Sequence, residues 1–252
     1  MPWLPAAVIG ALTAFLWVGC AGSAARTAPA LSRVTTTRPY VALTFDDGPS
    51  VQTTPSLLDL LTRYRAHATF FVIGQEAQAH GDLVRQEVLQ GSEVEPHTQT
   101  HRNLRRVPDR RLRAEVLDSA ALVSRLAGRP PAFIRPPFGT YDHRLVDLAR
   151  EAHLCIALWT AALDTRDWSG RTPQAISRQV LTHVRAGDIV LFHDGPGLRR
   201  NTLVALKAIL PGLSARHLEA VTLATLWAAR TAPSPDGSSA PMPVAGREGT
   251  SK

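Results

Sequence analysis

Four short apolar runs recur along this chain: Tyr40-Val41-Ala42-Leu43-Thr44-Phe45, Ala68-Thr69-Phe70-Phe71-Val72-Ile73, Cys155-Ile156-Ala157-Leu158-Trp159 and Asp188-Ile189-Val190-Leu191-Phe192. Unbroken apolar, β-prone runs of this length mark strands buried on both faces. Between them lie segments with helical spacing, carried by Leu57, Leu58 and Leu61, by Leu112, Val116 and Leu117, by Ile176 and Val180, and by Leu203, Leu206, Ile209 and Leu210. Thr172-Pro173 has the form of a helix cap followed by proline at the first helical position. Strand and helix in alternation predict an α/β fold with a parallel sheet, open or closed into a barrel. In either version ligands bind beyond the carboxyl ends of the strands.

Composition sets the bounds. With 252 residues, 44% hydrophobic and 19% charged, the chain is rich enough in apolar residues for one globular domain, and collagen-like, coiled-coil and multi-span membrane classes are excluded. Cys20 and Cys155 are too few for a disulfide framework, and neither belongs to a Cys-x-x-Cys pair.

The ends differ from the middle. Residues 3–25 carry no charge, and the apolar run Ala6 to Val18 has the length of a signal-peptide core. Small residues follow, Gly19-Cys20-Ala21-Gly22-Ser23, in the manner of a signal-peptidase site or of a lipoprotein site with Cys20 as the lipidated residue; a retained membrane anchor is the third reading. Export to the cell envelope, anchored or secreted, is the expectation. Residues 26–38 read as a linker and 231–252, rich in Pro, Ser, Gly and Ala, as a disordered tail. That leaves 39–230 as the folded unit.

The chemistry sits where strands end. Thr44-Phe45-Asp46-Asp47-Gly48-Pro49 sets two adjacent carboxylates at the end of a buried strand, although Asp-Gly-Pro is also ordinary turn chemistry. After a further β-prone stretch, Ser92 to Glu95, comes His97-Thr98-Gln99-Thr100-His101, whose imidazoles would share one face of a helical turn. Two neutral imidazoles and a carboxylate from a neighbouring strand end would make a three-ligand site for a divalent metal, zinc first, with cobalt or nickel as alternatives. Arg135-Pro136-Pro137-Phe138-Gly139 reads either as a stiff loop with a surface arginine or as a guanidinium orienting a carboxylate. Asp164-Thr165-Arg166-Asp167-Trp168 follows the third apolar run, and Leu191-Phe192-His193-Asp194 puts a titratable pair at the end of the fourth.

In this order, these five segments resemble the polysaccharide deacetylase family, also called the NodB-homology domain or carbohydrate esterase family 4. The resemblance implies a distorted, incomplete (β/α) barrel. It implies that Asp47, His97 and His101 hold the metal, that Asp46 is the general base and His193 the general acid. It further implies that Arg135 pairs with Asp46, that Asp164 orients His193, that Phe138 offers its backbone N–H to the oxyanion, and that Trp168 and Leu191 line a pocket for the acetyl methyl. The reaction implied is removal of N-acetyl groups from an N-acetylglucosamine-type polymer, peptidoglycan or a chitin-like glycan. Two other readings stand beside it: a non-catalytic envelope carbohydrate-binding protein of the same fold, and an O-acetyl esterase acting on xylan. The chain departs from the family where Glu95-Pro96 replaces the usual Gly-Asn and Gln99 a common aromatic residue.

Charge adds a last expectation. The formal net charge is +7, and Arg102, Arg105, Arg106, Arg110, Arg111 and Arg113 fall within twelve residues after His101, opposed only by Asp109. A solvated helix face is one reading, and a basic rim for anionic cell-wall polymer or a lipid surface is the other. Nothing resembles a nucleic-acid module, so no nucleic-acid partner is expected; a monomer is.

Overall fold

The computed structural model describes residues 30–231, so the segment 1–25, residues 26–29 of the expected linker and residues 232–252 of the expected tail lie outside the described residues. The strands are β1 Tyr40–Asp46, β2 Thr69–Val72, β3 Glu93–Pro96, β4 Phe133–Ile134, β5 Cys155–Ile156, β6 Ile189–His193 and β7 Glu219–Val221. Helices α1 Thr54–Arg63, α2 Gly74–Ala79, α3 Gly81–Leu89, α4 Asp109–Ala127, α5 His143–Glu151, α6 Pro173–His183, α7 Arg200–Ala215 and α8 Leu223–Ala228 connect or flank them. As the sequence predicts, Thr172 caps α6, its hydroxyl accepting from the Ala175 N–H at 3.2 Å.

Every strand pair is parallel. The main sheet runs β3-β2-β1-β6, with β7 against the start of β1, and β4-β5 form a separate pair. Two thin joints link the sheets. Arg135 N–H donates to Pro96 O at 3.2 Å after β4, and Thr160 N–H donates to Ile189 O at 2.9 Å after β5. The result is a distorted, incomplete barrel.

Alternation along β1 divides its side chains between two environments. Val41, Leu43 and Phe45 join the main hydrophobic cluster with Leu57 and Leu61 of α1, Ile176 and Val180 of α6, and Leu206 and Ile209 of α7. Phe45 stacks between Phe70 and Phe192, with ring centroids 5.4 Å away on either side. Burying each such ring contributes about 1.5–3 kcal/mol. On the other face, Thr44 and Asp46 meet the buried guanidinium of Arg135. Deeper in, Thr69 donates to Glu93 at 2.8 Å, and Glu95 accepts from the N–H groups of Ala132 and Phe133 at 2.9 Å each. Burial pushes the Glu95 carboxyl well above the usual carboxylate range, with Glu93 adding to the push. The residues Glu95-Pro96 are therefore interior: the carboxyl caps two amides at the start of β4, and Pro96 offers its carbonyl to the strand's end.

Two expectations are corrected. Residues 30–38 are not a linker but part of the domain: Leu31 bridges to Ala157, Val34 is buried and donates to Gly187 O at 2.8 Å, and Arg33 pairs with Asp188 at 2.8 Å. Two apolar residues, Leu31 and Val34, suffice to seat this otherwise polar stretch. The third apolar run stops being a strand after Ile156, because the carbonyls of Ala157 and Leu158 turn to Arg135 at 3.3 and 2.9 Å. At the amino end of β1 the segment that leads into it meets the carboxyl end of the described residues: Thr36 Oγ1 donates to Ala229 O at 2.7 Å and Thr231 N–H to Thr35 O at 2.9 Å.

Candidate active site and metal centre

Strand register builds the site. Parallel pairing sets Asp46, the last residue of β1, beside His193, the last of β6. Asp47 then takes a left-handed backbone, φ 74°, which turns the two neighbouring carboxylates apart. Its Oδ1 lies 3.2 Å from His101 Nε2 and 3.5 Å from His97 Nε2.

His97 is buried, and its Nδ1 sits 2.8 Å from the carbonyl of Arg135. A carbonyl only accepts, so Nδ1 carries a proton, and in the neutral ring Nε2 turns its lone pair to Asp47. The two histidines do not share a helical turn. They lie on the loop after β3, where Thr98 and His101 adopt φ 68° and 56° and bring the rings to 5.0 Å between centroids. The buried Glu115 of α4 anchors that loop, accepting from the Thr100 N–H at 2.7 Å and taking Arg111 at 2.8 Å, while its own carbonyl accepts from Gln99. Burial and the neighbouring His97 hold the His101 imidazole below the ordinary histidine range, so it remains neutral.

These three ligand atoms fall within 4.8 Å of one another. The buried Asp47 Oδ1 has no hydrogen-bond partner among the described residues. A carboxylate oxygen facing two lone-pair nitrogens offers three acceptors and no proton, an arrangement that a cation satisfies. The residues present therefore fit a divalent metal.

Asp46 is held separately. Its Oδ1 accepts from Arg135 Nη1 at 2.6 Å, and its Oδ2 lies 3.7 Å from His97 Nε2. Arg135, fully buried, also donates to Thr44 Oγ1 at 2.8 Å and stacks 4.0 Å above the Phe71 ring.

His193 has a different partner from the one expected. Asp167, not Asp164, takes its ring Nδ1 at 2.7 Å, and the second carboxylate oxygen of Asp167 accepts from the His193 N–H at 3.0 Å and from Thr202 at 2.6 Å. Asp164 instead accepts from the Arg166 N–H at 3.2 Å. The reason is backbone: Arg166 is left-handed, φ 49°, and swings the chain so that the second acid faces β6. Burial disfavours the imidazolium of His193, but the bond to Asp167 and the charges of Asp167, Asp46 and Asp47 outweigh it and raise its pKa.

The remaining expected residues border this centre. Phe138 is 63% exposed, takes φ 61° and turns its ring edge-on to His101 at 4.8 Å. Trp168, 57% exposed, follows Asp167 directly, and Leu191 is buried in β6 beside Thr44. Non-glycine residues in the left-handed region cost on the order of 1 kcal/mol each, and Asp47, Thr98, His101 and Phe138 cluster here.

Sequence reasoning paired Asp194 with His193 but gave it no role. It is fully buried, accepts from Thr54 at 2.5 Å, and lies against the Cα of Gly48. Burial pushes its carboxyl up to about 7, the Thr54 bond opposing and Asp47 adding. Its place beside His193 in the chain was the available signal.

Comparison with known proteins agrees with this geometry. A family model described as polysaccharide deacetylase matches residues 33–156. A peptidoglycan-N-acetylglucosamine deacetylase of Bacillus cereus is 38% identical over 186 residues, 74% of this chain and 87% of that protein. A chitooligosaccharide deacetylase of Rhizobium leguminosarum bv. phaseoli is 36% identical over 204 residues, 76% of this chain and 88% of that one. The crystal structure of the Bc1960 peptidoglycan N-acetylglucosamine deacetylase, in complex with 4-naphthalen-1-yl-N-oxidanyl-benzamide, superposes with a TM-score of 0.74 at 31% identity, covering 80% of this chain and 94% of that one.

Proposed function

Because this chain belongs to the polysaccharide deacetylase family, we propose that it hydrolyses N-acetyl groups from N-acetylglucosamine residues of peptidoglycan, with zinc held by Asp47, His97 and His101. The observation that carries this reading is the pairing of Asp46 and His193 at adjacent strand ends, each with its own buried partner, beside a three-ligand cluster. A binding protein needs no acid and base so arranged.

A divalent metal bound there polarises a carbonyl and acidifies water. Asp46 is the proton acceptor: Arg135 fixes one of its oxygens, leaving the other toward the cluster. The Phe138 backbone, locked by its neighbouring prolines, serves the oxyanion. His193 enters protonated, supported by Asp167, and gives its proton to the departing amine, which leaves as the free amino sugar with acetate as coproduct. Trp168 and Leu191 flank the acetyl methyl.

The uncharged segment 3–25 supports action outside the cytoplasm, where peptidoglycan lies. Acetate release from peptidoglycan and from chitooligosaccharides, measured with and without a chelator and after zinc is restored, tests the function. Release that a chelator abolishes and zinc restores is expected; no release by zinc-loaded protein from any N-acetylated glycan would overturn it.

A further inference from the structure

The arginines that follow His101 divide into two groups. Arg111 is committed to the buried Glu115 at 2.8 Å, with Arg102 at 3.9 Å from the same oxygen, and Arg113 pairs with Glu151 at 2.7 Å. Arg105, Arg106 and Arg110 are exposed and have no carboxylate partner among the described residues.

Their backbone is fixed. Leu104 is buried between Leu112, Ile134 and Leu145, and Arg144 donates to the carbonyls of Leu104, Arg105 and Val107 at 3.2, 3.2 and 2.8 Å. Asn103 accepts from the Arg105 N–H at 3.1 Å and from Thr140 Oγ1 at 3.3 Å, which ties this loop to the one bearing Phe138. Arg110 stands in the first turn of α4, where the helix dipole disfavours a cation. Two unpaired guanidiniums thus project from a clamped loop that starts one residue beyond a metal-ligating histidine, and a third from the first turn of the helix that follows it. Local stability does not call for them.

We infer that Arg105, Arg106 and Arg110 form a recognition site for the carboxylates of an acidic acetylated glycan, on the His101 and Phe138 side of the centre. The inference rests on the deacetylase reading and sharpens it: the preferred substrate carries negative charge on sugars next to the one that reacts, as the free lactyl carboxylates of peptide-free peptidoglycan strands do, and a neutral chitin-like strand lacks the handle. Guanidinium is suited to this because its planar donors match a carboxylate. A lipid surface is disfavoured because residues 102–113 expose no large apolar side chain, whereas a membrane-docking face combines charge with apolar insertion.

The test compares the full-length protein with the triple variant Arg105→Gln, Arg106→Gln, Arg110→Gln. The probes are peptide-free peptidoglycan strands, the same strands with their lactyl carboxylates amidated, and chitohexaose. For the native strands KM is expected to rise about tenfold in the variant and to rise with salt in the wild type, at unchanged kcat. For the amidated strands and chitohexaose, KM is expected to stay within about twofold. Equal losses on all three probes, or none on the native strands, would overturn the inference. So would a variant that keeps its KM for native strands and loses only sedimentation with phosphatidylglycerol vesicles. Binding of native strands to metal-free protein, followed by sedimentation, reads the same rim without turnover, so failure of the deacetylase reading remains distinguishable from failure of this one.

Discussion

Asp167 holds His193 by two contacts at once, one carboxylate oxygen on the ring Nδ1 at 2.7 Å and the other on the backbone N–H at 3.0 Å. The first sets the protonation of the imidazole and the second sets its position, so the two effects are separable by substitution.

Replacement Asp167→Asn removes the charge, and because both carboxylate oxygens accept, its amide NH2 leaves one donor without an acceptor. His193 has a raised pKa, so its imidazolium form is what the fold favours; without Asp167 that pKa falls, and the alkaline limb of the kcat/KM profile is expected to move toward lower pH. Stability carries the same sign. The contribution of the pair is full below the unfolded histidine pKa and is lost as pH rises through the folded one, so the wild-type advantage in urea midpoint is expected to shrink over that window. An unchanged alkaline limb would remove Asp167 from the proton chemistry.

Arg135→Met leaves Asp46 buried without its cation. Removal of one partner from a buried pair costs about 3–5 kcal/mol, and here the Thr44, Ala157 and Leu158 bonds go as well. Chemical denaturation is expected to register the loss. Arg135→Lys keeps the charge but cannot span the same acceptors, so most of both stability and activity should still go.

For the metal centre, Asp47→Asn, His97→Ala and His101→Ala are expected to lower zinc affinity by about 100-fold or more, since even outer partners of metal ligands cost 10–100-fold. Competition with a chromophoric chelator reads this directly. The same zinc should raise the Tm of the wild type and leave that of the three variants nearly unmoved.

Gly48 is confined for want of space. A Cβ there would overlap the carboxylate of Asp194, so Gly48→Ala must displace either Asp194 or the Asp46-Asp47 turn. A loss of about 1–3 kcal/mol is expected, together with weaker zinc binding, measured by calorimetry on the apo and loaded forms.

Much of this was legible because strand ends advertise themselves. Asp46, Asp47 and His193 interrupt apolar runs at points where a buried strand has no structural use for charge, and the register then brings Asp46 and His193 together. What was not legible depended on single backbone torsions. Two acids three residues apart, Asp164 and Asp167, compete for His193, and only the left-handed turn at Arg166 decides between them. The spacing of His97 and His101 fits a helix as well as it fits a loop kinked at Thr98, and both bring the rings together. Residues 30–38 look like spacer by composition, yet Leu31 and Val34 find partners that are distant in sequence. The polar interior was hidden for the same reason, since Glu93 and Glu95 acquire their partners only when β2, β4 and α8 close around them.

The meeting of Thr35 with Thr231 fixes an orientation. The carboxyl end of the described residues leaves from the amino end of β1, while Asp46 stands at its carboxyl end, a strand of seven residues or about 20 Å away. The amino end of the described residues runs instead along β5, where Leu31 bridges to Ala157, whose carbonyl accepts from Arg135. The two ends of the described residues therefore leave at different levels of the sheet, the carboxyl end far from Asp46 and the amino end on the side of Arg135.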